Sequence, residues 1–174
     1  MTGILKLKPN QLIEHPNGGH VFGVIPEIVR LGAAEASVYL KAGLHRMRPG
    51  QPAAGYGVKH IWEGKKKELR SRGCTKADDV PLFVANLIVL GAELYHDSAH
   101  PRAAMNRITI LRTQDGTLLL EPLMDRNLGF HYSVVTWTPR TKPMGIQVGT
   151  IAKTGHEKSG PRAAFFLVLS LIHI

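Results

Sequence analysis

His60 lies in GYGVKHIWEGKKKELRSR (55–72), a stretch whose pattern predicts a helix and whose composition is densely cationic. An imidazole exchanges protons near neutral pH, so it can serve as general base or general acid. Between 41 and 73 stand nine Lys or Arg (Lys41, Arg46, Arg48, Lys59, Lys65, Lys66, Lys67, Arg70, Arg72) against Glu63 and Glu68, which is +7 in a chain of net charge +9. A proton-transfer group in a field that gathers phosphates is what cleavage of a phosphodiester needs. The plainer reading of the same residues is a solvated basic helix face.

Three further side chains suit that chemistry. Arg107 and Arg112 end the predicted strand RITILR and offer planar forks to a phosphate. Their spacing of five puts them on opposite faces of a regular strand, so both reach one site only through a bulge or twist. Thr136, late in YSVVTW, carries a hydroxyl suited to a phosphate oxygen. Surface arginines and a strand-forming threonine are the ordinary alternatives. GYGVKH lacks the glycines of a dinucleotide fingerprint and the Gly-Lys-Ser/Thr end of a phosphate loop, and there is no Gly-x-Ser-x-Gly elbow. No metal and no cofactor are expected.

The elements that must hold these groups are legible in outline. The 174 residues suit one domain, which buries about 68–70% of its unfolded surface and needs no disulfide to do so. The single Cys74 excludes an internal disulfide and a Cys-rich zinc site, and a cytoplasmic setting is expected. VPLFVANLIVLGAEL (80–94) is too short to span a bilayer and reads as a buried helix, so no membrane partner is expected. A pI near 9.9 makes nucleic acid the leading partner.

Residues 1–30, with Pro9, Pro16, Pro26 and Gly18-Gly19, read as an irregular lead-in, and residues 31–141 as an α+β domain. Residues 142–168 read as a basic Gly/Pro-rich tail. The last six residues, LSLIHI (169–174), match the translation of CTGTCTCTTATACACATC, a transposon sequencing adapter. They are expected to be read-through and carry no functional weight.

Within the domain, SVYL (37–40) predicts a short strand and PGQPAAGYG (49–57) a turn-rich loop. Val58, Ile61, Trp62 and Leu69 form the apolar stripe of a helix over 58–70, interrupted by Gly64 at about 1 kcal/mol relative to Ala. Thr75 is a candidate N-cap, with Asp78 and Asp79 in the first turn of a helix running to about Leu90. Strands are predicted over 107–112, 117–121 and 132–137, with Gln114-Asp115-Gly116 as a hairpin turn. Helices followed by a β-meander indicate an α+β fold.

The order SVYLKAGLHRMRPG, GYGVKHIWEGKKKELRSRG, DDVPLFVANLIVLGAELY, RITILRTQDGTLLLE and YSVVTWTP resembles phage-associated nucleases of the barnase–EndoU–colicin–RelE-like class (PBECR), over about residues 37–141. The resemblance implies N-terminal helices packed on a small twisted antiparallel sheet of about four strands. It also implies a metal-independent ribonuclease of phage or toxin origin, with RNA as substrate and an immunity or antitoxin protein as partner. Carried across, His60 matches the helix histidine, Arg107 and Arg112 the strand arginines, and Thr136 the terminal-strand threonine. His45 matches a histidine or polar position after the first strand. Gly64-Lys65 stands where the family continues with a second histidine, and Trp137 replaces a small residue.

These residues imply RNA cleavage by 2′-hydroxyl attack: His60 as base, His45 as the second proton-transfer group, and Arg107 or Arg112 on the phosphoryl oxygens. Lys59, Lys65, Lys66, Lys67 and Arg70 would track the backbone, and Trp137 would offer a base-stacking platform. A non-catalytic nucleic-acid- or partner-binding module is the alternative. A weaker one is an ADP-ribosyl transferase-like site.

Overall fold

A computed structural model describes residues 3–100, 108–112 and 114–154, with 108–112 described by their backbone alone. In chain order the strands are β1 (Val21–Ile25), β2 (Ala36–Tyr39), β3 (Leu44–Arg48) and β4 (Gln51–Tyr56), followed by helices α1 (Gly57–Arg70) and α2 (Val80–Leu87). Strands β5 (Glu93–His96), β6 (Ile108–Arg112), β7 (Gly116–Asp125), β8 (Gly129–Thr138), β9 (Ile146–Thr150) and β10 (Lys153–Thr154) complete the fold. The class is α+β.

The sheet is larger than the expected four strands and is not wholly antiparallel. Its order is β10-β1-β2-β8-β7-β6-β5-β9. The run β8-β7-β6-β5-β9 is antiparallel throughout. It continues through a parallel contact in which Val38 and Tyr39 of β2 lie opposite Tyr132 and Ser133 of β8. The β6–β7–β8 meander is the part that alternation and Asp115-Gly116 predicted; Arg112 pairs with Gly116 across the turn. A separate two-stranded ribbon, β3–β4, stands outside the main sheet.

Apolar alternation on the strands and the stripe on α1 meet in one core. Val58, Ile61 and Leu69 of α1 and Val80, Val84 and Leu87 of α2 are buried with Val38, Leu118, Leu120, Tyr132 and Val134. Each such aliphatic side chain contributes about 1.5–3 kcal/mol relative to exposure. Truncation of Ile61, which is fully enclosed, would open a cavity in this core.

Four expectations need correction. The lead-in is not irregular at 21–25: Phe22 and Ile25 are buried in β1, whose β-branched and aromatic residues outweigh the flanking prolines and glycines. The region expected as a tail contributes β9, which pairs with β5, and β10, which pairs with β1. The turn-rich stretch 49–57 is a turn only at Pro49-Gly50; from Gln51 it pairs with β3. The second helix ends at Leu87 instead of near Leu90, and Glu93 to His96 form β5. The uniform apolarity of 80–94 hid that change, because periodicity cannot separate a buried helix from a buried strand.

Gly64 acts as expected. The next residue, Lys65, leaves helical geometry at φ −138°, ψ 26°, and kinks α1.

Candidate functional site

The site is built where the ribbon meets the start of α1. His45 is on β3, opposite Gly55 of β4, and His60 is in the first turn of α1. Gly57, the first residue of α1, has φ +73°, and a Cβ there would collide with the carbonyl oxygen of Lys41. Val58 and Lys59 donate their backbone N–H groups to the carbonyls of Lys41 and Ala42. The helix is therefore tied to the β2–β3 connection, and the ring of residue 60 is fixed against the ribbon.

The two rings touch through Nδ1. His45 Nδ1 and His60 Nδ1 are 3.1 Å apart, with centroids 5.2 Å apart and planes tilted by 33°. Two like nitrogens at this distance share one proton: one Nδ1–H donates and the other lone pair accepts. Both histidines are half-buried. The His60 pKa lies below the ordinary 6.5, first through burial, then through the nearby charges of His45 and Lys65. The pair therefore favours a neutral imidazole at position 60.

Gly55 makes this approach possible. A Cβ at 55 would stand 2.8 Å from His60 Nδ1 and collide with the carbonyl oxygen of Leu44. Gly64 leaves space on the other side, where a Cβ would lie 4.0 Å from His45 Cε1.

The cations expected to bind nucleic acid divide into two sets. Lys59 Nζ donates to the Leu7 carbonyl at 2.7 Å and is half-buried, so it anchors the N-terminal segment to α1 and is not a free phosphate ligand. Lys66 Nζ donates to Glu63 Oε2 at 2.8 Å and lies 5.9 Å from the Trp62 ring centroid, as does the Arg70 guanidinium. Lys67 and Arg70 are exposed, and Lys65 is half-buried beside the kink.

Trp137 is not a stacking platform. It is fully buried, donates Nε1–H to the Asp115 carbonyl at 2.9 Å and packs edge-to-face on Phe83 at 5.0 Å. The Arg72 guanidinium covers the ring at 4.9 Å. Its role is to lock the β6–β7 turn to β8 and α2, and no face remains for a base.

Thr136 is half-buried on β8 opposite Leu119, with its hydroxyl 3.5 Å from the Trp137 carbonyl. No described contact joins it to either histidine. Arg112 closes β6 by its backbone pairing, and Arg107 lies outside the described residues.

Sequence reasoning passed over HDSAH (96–100), where His96 and His100 flank Asp97 at the spacing of a helical metal pair. His96 ends β5 and the following residues turn, with Ala99 N–H donating to Asp97 Oδ1, so the helical face that such a pair requires is missing. The buried His131 was also passed over; its alternating, apolar strand gave no chemical signal. Among the described residues no group of three or more His, Cys, Asp or Glu is placed to hold a metal, and no helix is long and apolar enough to cross a membrane. No protein family, curated protein or solved structure matches this chain.

Proposed function

We propose that this chain is a metal-independent endoribonuclease of the phage or toxin type, with the His45–His60 junction as its acid–base centre. The observation that carries the reading is the 3.1 Å contact between the two Nδ1 atoms beside a cationic helix. Neutral His60 takes the proton of an RNA 2′-hydroxyl, and that oxygen attacks the adjacent phosphorus. His60 Nε2 accepts that proton while its Nδ1–H passes to His45 Nδ1, and His45 Nε2–H gives its proton to the departing 5′-oxygen. The products are a 2′,3′-cyclic phosphate and a 5′-hydroxyl end. Arg107 or Arg112 stabilises the charge growing on the phosphoryl oxygens. Lys65, Lys67 and Arg70 hold the flanking backbone, which makes binding fall with salt.

The paired rings suit this division of labour. Mutual repulsion disfavours two imidazoliums in contact, so the facing nitrogens hold a single proton, and while His60 Nδ1 carries it His60 Nε2 is free to accept another. A two-step proton exchange of this kind supplies about 10²–10⁴-fold per step.

The second reading is a nucleic-acid-binding module without chemistry. It is favoured by the burial of Trp137 and by the lack of contact between Thr136 and the histidines. An oligonucleotide carrying a single ribose at an otherwise deoxy backbone separates the two. The ribonuclease cuts only at the ribose, in the presence of EDTA; a binding module retains the strand uncut. Cleavage at deoxy positions would refute the mechanism.

A further inference from the structure

The β3–β4 ribbon carries more than His45. Residues 46–52 are all exposed, including Arg46, Met47 and Arg48 on β3. Met47 is 76% exposed although it is a large apolar side chain. It stands two residues beyond His45 on the same strand, about 7 Å farther along it. That distance is comparable with one nucleotide step. Arg46 and Arg48 flank Met47 where the pairing with β4 is irregular, and among the described residues neither has an ion-pair partner. Val29 and Met124 are also exposed apolar residues, but neither shares a strand with a site histidine or lies between two arginines.

We propose that this ribbon is the substrate-gripping arm of the site and that its ligand is single-stranded RNA. The base next to the scissile phosphate packs on Met47, and Arg46 and Arg48 hold neighbouring phosphates. This rests on the ribonuclease reading for the position of the scissile bond, but not for the binding itself. An A-form duplex hides its base faces in the stack and presents a narrow major groove that side chains cannot read. An apolar, polarizable side chain at the tip of a ribbon has a partner only where a base is unstacked. The ribbon stands apart from the main sheet, so a strand can run along it without displacing core packing.

The test uses an unstructured oligonucleotide made uncleavable by 2′-deoxy substitution, its perfect duplex, and the unsubstituted RNA. Fluorescence anisotropy with the full chain reports binding, and gel analysis of the unsubstituted RNA reports cleavage. Met47→Ala is expected to weaken single-strand binding about fivefold. Arg46→Ala combined with Arg48→Ala is expected to flatten the salt dependence by about 1.4 in log–log slope. Equal binding by Met47→Ala and the unaltered chain, or a duplex bound as tightly as the single strand, overturns the proposal. If Met47→Ala weakens binding but no RNA is cut, the gripping arm stands and the ribonuclease reading fails. If RNA is cut equally well by Met47→Ala at limiting substrate, the gripping arm fails and the ribonuclease reading stands.

Discussion

His60 and His131 carry the same side chain in opposite surroundings. His60 is half-buried at the ribbon–helix junction, and its Nδ1 meets a second imidazole. His131 is fully buried on β8, with Nδ1 3.0 Å from the Gly129 carbonyl and its ring edge-on to Tyr39. Its Nε2 has no hydrogen-bond partner among the described residues, nor do the Tyr132 hydroxyl and Ser133 Oγ beside it. Leaving such a group unpaired costs about 1–3 kcal/mol. Access thus separates the two: one ring can exchange a proton with a substrate, while the other can only be part of the packing.

Substitutions at the two rings and around them should have opposite consequences. The largest effect is expected at the junction. His60→Ala should lower single-turnover RNA cleavage by about 10²–10⁴-fold while the melting temperature changes little. The opposite pattern belongs to the enclosed side of the sheet. Trp137→Ala should cost about 3–5 kcal/mol in denaturant unfolding, yet RNA affinity measured well below the melting point should match the unaltered chain.

The pH profile should show the contrast at intermediate size. Because the His60 pKa is lowered from the ordinary histidine value, the acid limb of kcat/KM should lie at lower pH than an ordinary histidine base would give. Lys65 helps to lower that pKa, so Lys65→Ala should move the acid limb to higher pH.

His131→Phe removes an unpaired nitrogen and one hydrogen bond together. It should leave cleavage unchanged and shift stability by about 1 kcal/mol or less. A loss of cleavage there would merge the two regions into one site. The smallest effects concern the lysines. Lys67→Ala should reduce the log–log salt slope by about 0.7, and Lys66→Ala by less, because Glu63 already neutralises Lys66.

Much of the fold was legible because local pattern and tertiary role agree. The stripe Val58–Ile61–Trp62–Leu69 gives α1, Gly64 gives its kink, and Asp115-Gly116 gives the β6–β7 turn. Thr75 is not the cap it was expected to be: Lys76 precedes the 3₁₀ turn Ala77–Asp79 and Asp79 precedes α2, and the Asp79 carboxylate accepts from the Thr75 and Lys76 N–H groups. The ribbon and the outer strands were hidden for a common reason. Glycine and proline in 49–57 and in the two ends read as breakers, whereas β4 pairs with the adjacent β3, and partners distant in sequence hold β1 and β9 in register.

At the site, His60 was visible as an imidazole among the cations of a predicted helix, and His45 only through the resemblance. Their contact depends on Gly55 and Gly57 letting the ribbon close on α1, which spacing along the chain does not encode. Trp137 was misread because an aromatic beside a candidate threonine suggests stacking; only the three-dimensional structure places Phe83, Arg72 and Asp115 around it.

Labelled RNA is incubated in EDTA with the unaltered chain, with His60→Ala and with His45→Ala, and the new ends are identified. Cleavage that leaves 2′,3′-cyclic phosphates, and is lost with either histidine, is the predicted result. Undiminished cleavage by His60→Ala, or cleavage that appears only when a divalent metal is supplied, would contradict it.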